Sequence, residues 1–176
     1  MRKIYLSLLP ILLLAALLPA QDFTVYDDFA QLEERINRAG ENTVLLVNFW
    51  ATWCAPCVDE LPCFDEMHQD LASEDFQVIL ISLDFKSRIE PALIPFLKKW
   101  KLKPEVAVLA DQNADSWIPK VHPDWNGAIP ATVMICGKDR DLHPEKFDSY
   151  QDLEEFVFTF LRKVNKVPKM RRIGSR

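Results

Sequence analysis

The residues with the most obvious chemistry are Cys54 and Cys57, separated by Ala55 and Pro56. The pair directly follows the apolar run Thr43 to Trp50 (TVLLVNFW) and opens a stretch that reads as a helix. A C-x-x-C pair between a buried strand and a helix is a redox arrangement. At a helix start the first backbone N–H groups are unpaired and the dipole is positive, so a thiolate on Cys54 is stabilised there. A stabilised thiolate means a lowered pKa, which makes Cys54 the nucleophile. Pro56 fits the first turn, where its missing N–H costs nothing. Cys57 lies one helical turn on, close enough to attack a mixed disulfide held by Cys54, so the pair can cycle between dithiol and disulfide. Trp53 offers a flat apolar surface beside it. Two other uses of such a pair stand next to this one: a plain structural disulfide, or part of a zinc site completed by Cys63 and His68. Zinc needs about four N or S ligands, and Pro62 bends the segment between the cysteines and His68.

The stretch Val47-Asn48-Phe49-Trp50-Ala51-Thr52-Trp53-Cys54-Ala55-Pro56-Cys57 resembles the active-site segment of the thioredoxin superfamily. More narrowly it is similar to the exported TlpA/ResA-like thiol–disulfide oxidoreductases. Glu60 and Pro62 match the E-x-P that follows the second cysteine in that group. Ala128-Ile129-Pro130-Ala131-Thr132 looks like the loop bearing the superfamily's cis-proline. The resemblance covers roughly residues 42–164. It implies a thioredoxin fold, an α/β architecture with a central mixed sheet flanked by helices on both faces. It implies that Cys54 attacks a protein disulfide, that Cys57 resolves the adduct, and that Glu60 is an active-site carboxylate. Glu60 would exchange protons with the Cys57 thiol and raise its pKa; as an ordinary residue it would be an exposed acid in an early helical turn. A cis bond at Pro130 would leave the Ile129 backbone open to a peptide as an added strand. No cofactor is implied beyond the Cys54–Cys57 disulfide, and the partners expected are protein disulfides and a membrane or periplasmic electron donor. A monomer is expected. An oxidase or isomerase of the same fold, or a thiol-based metallochaperone, would use the same residues. Asn48 departs from ordinary thioredoxins, which carry a buried Asp there, and it points to the TlpA/ResA-like subgroup. Leu102 to Trp125 reads as an insertion without an assignable motif.

The elements that must hold these residues alternate. A helix is expected over Asp27–Arg38, from Phe29, Leu32 and Ile36 at helical spacing and Gly40 as a stop. Thr43–Trp50 and Phe76–Leu83 are apolar enough for buried parallel strands. A helix follows from Cys54 to about Leu71, kinked by Pro62, which removes the N–H that would reach the Val58 carbonyl. Glu90–Lys101 reads as a helix, Glu105–Leu109 as a short strand, and Asp111–Gly127 as irregular, rich in Pro and Trp, with room for a short helical piece. Ala131–Cys136 is a strand, Gly137–Arg140 a turn, Leu142–Phe147 a weak edge strand interrupted by Pro144, and Tyr150–Val164 an amphipathic helix. Trp117 and Trp125 are expected to pack the insertion onto the core; a place in a substrate groove is the sharper reading of Trp125. Cys63 reads as a small core residue, and Cys136, at a strand end, as partly exposed. Neither is assigned to catalysis.

The chain ends bear on the compartment. Arg2 and Lys3 precede the uncharged, apolar Ile4–Leu18, and Leu18-Pro19-Ala20 gives a small residue before polar Gln21. That is the pattern of a secretory signal over residues 1–20, with an uncleaved anchor as the alternative. Export to the periplasm follows, where disulfides persist. Three of the four cysteines fall between Cys54 and Cys63, which is unlike a structural disulfide framework. Of 176 residues, 49% are hydrophobic, a one-domain length with enough apolar matter for a core. Residues 21–161 carry 12 basic against 26 acidic side chains, a net charge of −14 that would repel phosphate backbones and disfavours nucleic-acid binding. Residues 165–176 form a basic tail after the domain at 21–164.

Overall fold

The computed structural model describes residues 22–167. The expected signal segment at 1–20 and most of the basic tail lie outside the described residues. Six strands form one sheet in the order β1-β4-β3-β2-β5-β6. They are β1 (Phe23–Tyr26), β2 (Val44–Trp50), β3 (Phe76–Ser82), β4 (Glu105–Leu109), β5 (Ala131–Cys136) and β6 (Asp139–His143). The first four in space run parallel, whereas β5 is antiparallel to both β2 and β6. The helices are α1 (Phe29–Arg38), α2 (Ala55–Leu71), α3 (Lys86–Arg88), α4 (Ile94–Trp100), α5 (Ala114–Val121) and α6 (Tyr150–Lys163). The fold is that of thioredoxin, with a mixed sheet covered on both faces.

Strand β2 is buried along its whole length because both faces are covered. Val44, Leu46 and Trp50 face one core, with Leu61, Phe64 and Met67 of α2, Leu97 of α4, and Leu153, Val157 and Phe160 of α6. Leu45, Val47 and Phe49 face the other, with Leu32 and Ile36 of α1 and Trp117 and Val121 of α5. Side chains alternate along a strand, so Asn48 projects into the α2 side. Helix α1 starts at Phe29 rather than Asp27 because Asp28 caps it, accepting from the Gln31 N–H at 3.1 Å.

Several elements differ from those expected. Strand β1 has no counterpart in the sequence reading: four residues are too short for periodicity to register, and pairing with β4 is what extends them. The helix expected from Glu90 begins earlier, at Lys86, and passes through a π-helical turn at Ile89–Leu93 before α4. Pro91 and Pro95 each withhold a backbone donor in this stretch, where the hydrogen-bond ladder is re-registered. Helix α5 is the short helical piece for which the otherwise irregular Asp111–Gly127 leaves room; its bounds are not set by the sequence pattern, and burial of Trp117 and Val121 holds it despite Pro119. The insertion is therefore a strand inside the sheet plus a helix. Strand β6 begins at Asp139 and stops at His143, just before Pro144, because the tight Gly137–Lys138 turn pairs Cys136 directly with Asp139. Gly137 has φ 57°, a conformation that favours glycine. Among the described residues no helix is long and apolar enough to cross a membrane.

Candidate active site

The site lies where β2 ends and β5 begins. Antiparallel pairing sets Asn48 opposite Thr132 and Phe49 opposite Ala131. Residues that follow β2 and residues that precede β5 therefore meet at the same edge of the sheet. The former are the turn Ala51–Cys54, closed by the Cys54 N–H donating to the Ala51 carbonyl at 3.1 Å. The latter are Ile129 and Pro130, joined by a cis peptide bond.

Cys54 is the N-cap of α2 and Pro56 falls in its first turn. Cys54 and Cys57 are joined by a disulfide. The Cys57 N–H donates to Cys54 Sγ at 3.3 Å, so a helix-terminal donor is already aimed at this sulfur. Cys54 Sγ also lies 3.8 Å from the Ile129 carbonyl oxygen. Cys54 retains 7% exposure and Cys57 none, so of the two residues only Cys54 is reachable from solvent. Trp53, next to Cys54 in the chain, is well exposed, as is Phe85 in the loop after β3.

Glu60 is not an exposed helix acid. It is 1% exposed, on the face of α2 that meets the sheet. Its Oε1 accepts from Asn48 Nδ2 at 2.8 Å and its Oε2 from the Phe147 N–H at 2.8 Å. Burial pushes its pKa up to about 7, against those two hydrogen bonds and Lys146, which pull it down. A buried carboxyl titrating near neutrality can take or give a proton at physiological pH. Asn48 Nδ2 also donates to Thr132 Oγ1 at 3.0 Å, while Asn48 Oδ1 is buried with no partner among the described residues. In sequence Asn48 stands out only as a departure from ordinary thioredoxins, and nothing there shows that it and the Phe147 backbone hold Glu60. Only the register of β2 on β5 and the path of the chain after β6 bring those groups together.

Other expectations divide. Cys63 and Cys136 are free and do not pair. Cys136 is buried rather than partly exposed, with its thiol donating to the Glu41 carbonyl at 3.4 Å, because the hairpin folds its strand end under the loop before β2. Burial raises the pKa of both thiols. Trp125 is not open to a groove: it is 4% exposed, packs on Phe49 with ring centroids 4.6 Å apart, and donates through Nε1 to the Ala128 carbonyl at 2.8 Å. Among the described residues no group of three or more His, Cys, Asp or Glu is placed to hold a metal ion.

A disulfide across C-x-x-C at a helix start, set in a thioredoxin fold, is the arrangement of a thiol–disulfide oxidoreductase. Residues 18–138 match the AhpC/TSA family, and the chain belongs to it. It is 26% identical over 170 residues to the thiol-disulfide oxidoreductase ResA of Bacillus thuringiensis, covering 84% of this chain and 92% of that one. It is 36% identical over 101 residues to a thiol:disulfide interchange protein DsbE homolog of Paracoccus denitrificans, covering 57% of this chain and 49% of that one. A crystal structure of a thioredoxin-related protein from Neisseria meningitidis superposes with a TM-score of 0.58 at 22% identity, over 69% of this chain and 87% of that one.

Proposed function

We propose that this protein is an exported reductase of protein disulfides. The observation that carries the reading is the Cys54–Cys57 disulfide at the start of α2, with the Cys57 N–H directed at Cys54 Sγ. In the reduced protein the Cys54 thiolate attacks one sulfur of a substrate disulfide. The substrate's other sulfur leaves as a thiolate, and a mixed disulfide joins substrate to Cys54. Cys57 then gives up its proton and attacks Cys54 Sγ, which releases the second substrate sulfur and closes the Cys54–Cys57 bond. Two electrons pass to the substrate. Glu60, with a pKa raised to about 7, is the group suited to exchange protons with Cys57. The Ile129 backbone and exposed Trp53 are the contacts offered to the polypeptide around the substrate cysteine. A dithiol donor in the membrane or periplasm returns the electrons, and no other cofactor is required.

The reductive direction is favoured by what offsets the helix-terminal stabilisation of the Cys54 thiolate. No cation lies between the two cysteines, and Glu60, when ionised, disfavours a thiolate nearby. Weak stabilisation of the reduced state lowers the potential. The Arg2–Leu18 pattern supports export, either cleaved or retained as an anchor. Equilibration against glutathione tests the direction. A potential of about −250 mV or lower is expected; a value near about −120 mV would make the protein an oxidase.

A further inference from the structure

The turn that carries Cys54 is tied to a second loop through one buried carboxylate. Strands β2 and β3 are parallel with Trp50 opposite Ser82, and the Leu83 N–H donates to the Trp50 carbonyl at 2.8 Å. Residues 51–52 and 83–84 therefore leave the sheet side by side. Asp84 is wholly buried. Its Oδ2 accepts from the Thr52 N–H at 2.9 Å and from the Ser82 hydroxyl at 2.9 Å, and its Oδ1 accepts from the Thr52 hydroxyl at 2.7 Å. The Asp84 N–H donates back to Ser82 Oγ at 3.1 Å. Among the described residues Asp84 makes no ion pair. A buried carboxylate without a cation is costly. Two of the three donors that compensate it come from Thr52, the second residue of the turn closed between Ala51 and Cys54.

We infer that Asp84 is a positioning residue for the attacking thiol. It acts through Thr52: by holding that residue at both its N–H and its hydroxyl, it fixes the turn that sets Cys54 as the N-cap of α2. The N–H of Cys57 can stabilise the Cys54 thiolate only if the sulfur stays over the helix start, and a displacement there weakens the hydrogen bond steeply. Asp84 contacts neither sulfur by hydrogen bonding, and its negative charge would oppose a thiolate nearby, so a rise in the Cys54 pKa on removing it reports the geometry of the nucleophile. The inference rests on the reading of Cys54 as that nucleophile.

The test is the alkylation rate of Cys54 against pH in the reduced full-length protein. The rate follows the thiolate fraction, whatever the physiological substrate. Cys57 is replaced by Ser in every variant, and modification is followed by mass on the peptide that carries Cys54, so that the reachable thiol of the pair is read apart from the free Cys63. With Asp84→Ala the apparent pKa of Cys54 should rise by about one pH unit, a roughly tenfold smaller thiolate fraction below the pKa. Asp84→Asn keeps one carbonyl for the Thr52 N–H and one amide donor for the Thr52 hydroxyl. It should not raise the pKa by more than about 0.3 units above the parent, since the hydrogen-bonded geometry is kept and the lost negative charge can only lower it. Thr52→Ala should shift the pKa upward by less than Asp84→Ala, and Thr52→Ser should restore it. The Thr52 pair decides the matter if Asp84→Ala does not fold, which its thermal melt would show. Superimposable profiles for Thr52→Ala and Thr52→Ser overturn the inference, as does a loss in Asp84→Asn equal to that in Asp84→Ala. A parent protein whose Cys54 had an ordinary thiol pKa would instead overturn the nucleophile reading itself.

Discussion

Replacing Glu60 by Gln should remove a large pH dependence from the stability of the oxidised protein. Glu60 is 1% exposed, and burial is the leading cause that carries its carboxyl from the ordinary 4.5 to about 7. The unfolded chain keeps the ordinary value, so the folded state holds this proton more tightly. Its contribution is fully present below the unfolded pKa and is lost as the pH rises through about 7. A gap of about 2.5 pH units corresponds to about 3 kcal/mol at roughly 1.4 kcal/mol per unit. The substituted side chain does not titrate, and the site can accommodate it. Asn48 Oδ1 has no partner, so the Asn48 amide can turn over to accept from the introduced amide nitrogen, while the introduced carbonyl accepts from the Phe147 N–H. Glu and Gln also have nearly equal helix propensity. Urea unfolding of the oxidised forms, followed by circular dichroism from about pH 4 to about pH 8, measures the difference between the two proteins at each pH; shared titrations cancel. Relative to the variant, the wild type should lose about 3 kcal/mol across that range. In the reduced protein the same substitution should lower the Cys57 pKa, because an ionised neighbour no longer opposes the thiolate, and slow turnover, because the carboxyl that exchanges the Cys57 proton is gone. Stability profiles that run parallel, with a difference that stays within about 0.5 kcal/mol, would refute the burial argument. An unchanged thiol titration and pH–rate profile would remove Glu60 from the proton path.

Two further outcomes test other parts of the site and its support. Cys57→Ser should accumulate a covalent adduct with a disulfide substrate and Cys54→Ser should not, read on non-reducing gels and by mass; the opposite pattern would exchange the two roles. Trp117→Ala should cost about 3–5 kcal/mol in denaturant unfolding, because this ring is 3% exposed and packs against Phe29, Phe49 and Trp125; a cost near zero would mean that α5 contributes little to the core.

The sequence by itself determined the elements whose signal is local. Cys54, Pro56 and Cys57 sit at a helix start because the apolar run before them is a strand and the residues after them are helix-forming, and both facts are contained within a short window. The buried strands β2, β3 and β5 and the helices α1, α2 and α6 were legible for the same reason, to within a residue or two. Tertiary structure decided what depends on pairing between distant segments. Four residues of β1 are extended only because β4 lies beside them, and α5 persists through Pro119 because two of its side chains are buried. The register of β2 on β5 set Asn48 beside Thr132, and the chain beyond β6 brought the Phe147 N–H to Glu60, turning what could have been a solvated acid into a buried group that titrates near neutrality. Asp84 shows the same division. In sequence it is one acid among 26, and only the parallel register of β2 and β3 places it under the turn that carries Cys54. Local chemistry is written in neighbouring residues, whereas the desolvation and hydrogen bonding that tune it arise from groups brought together by the fold.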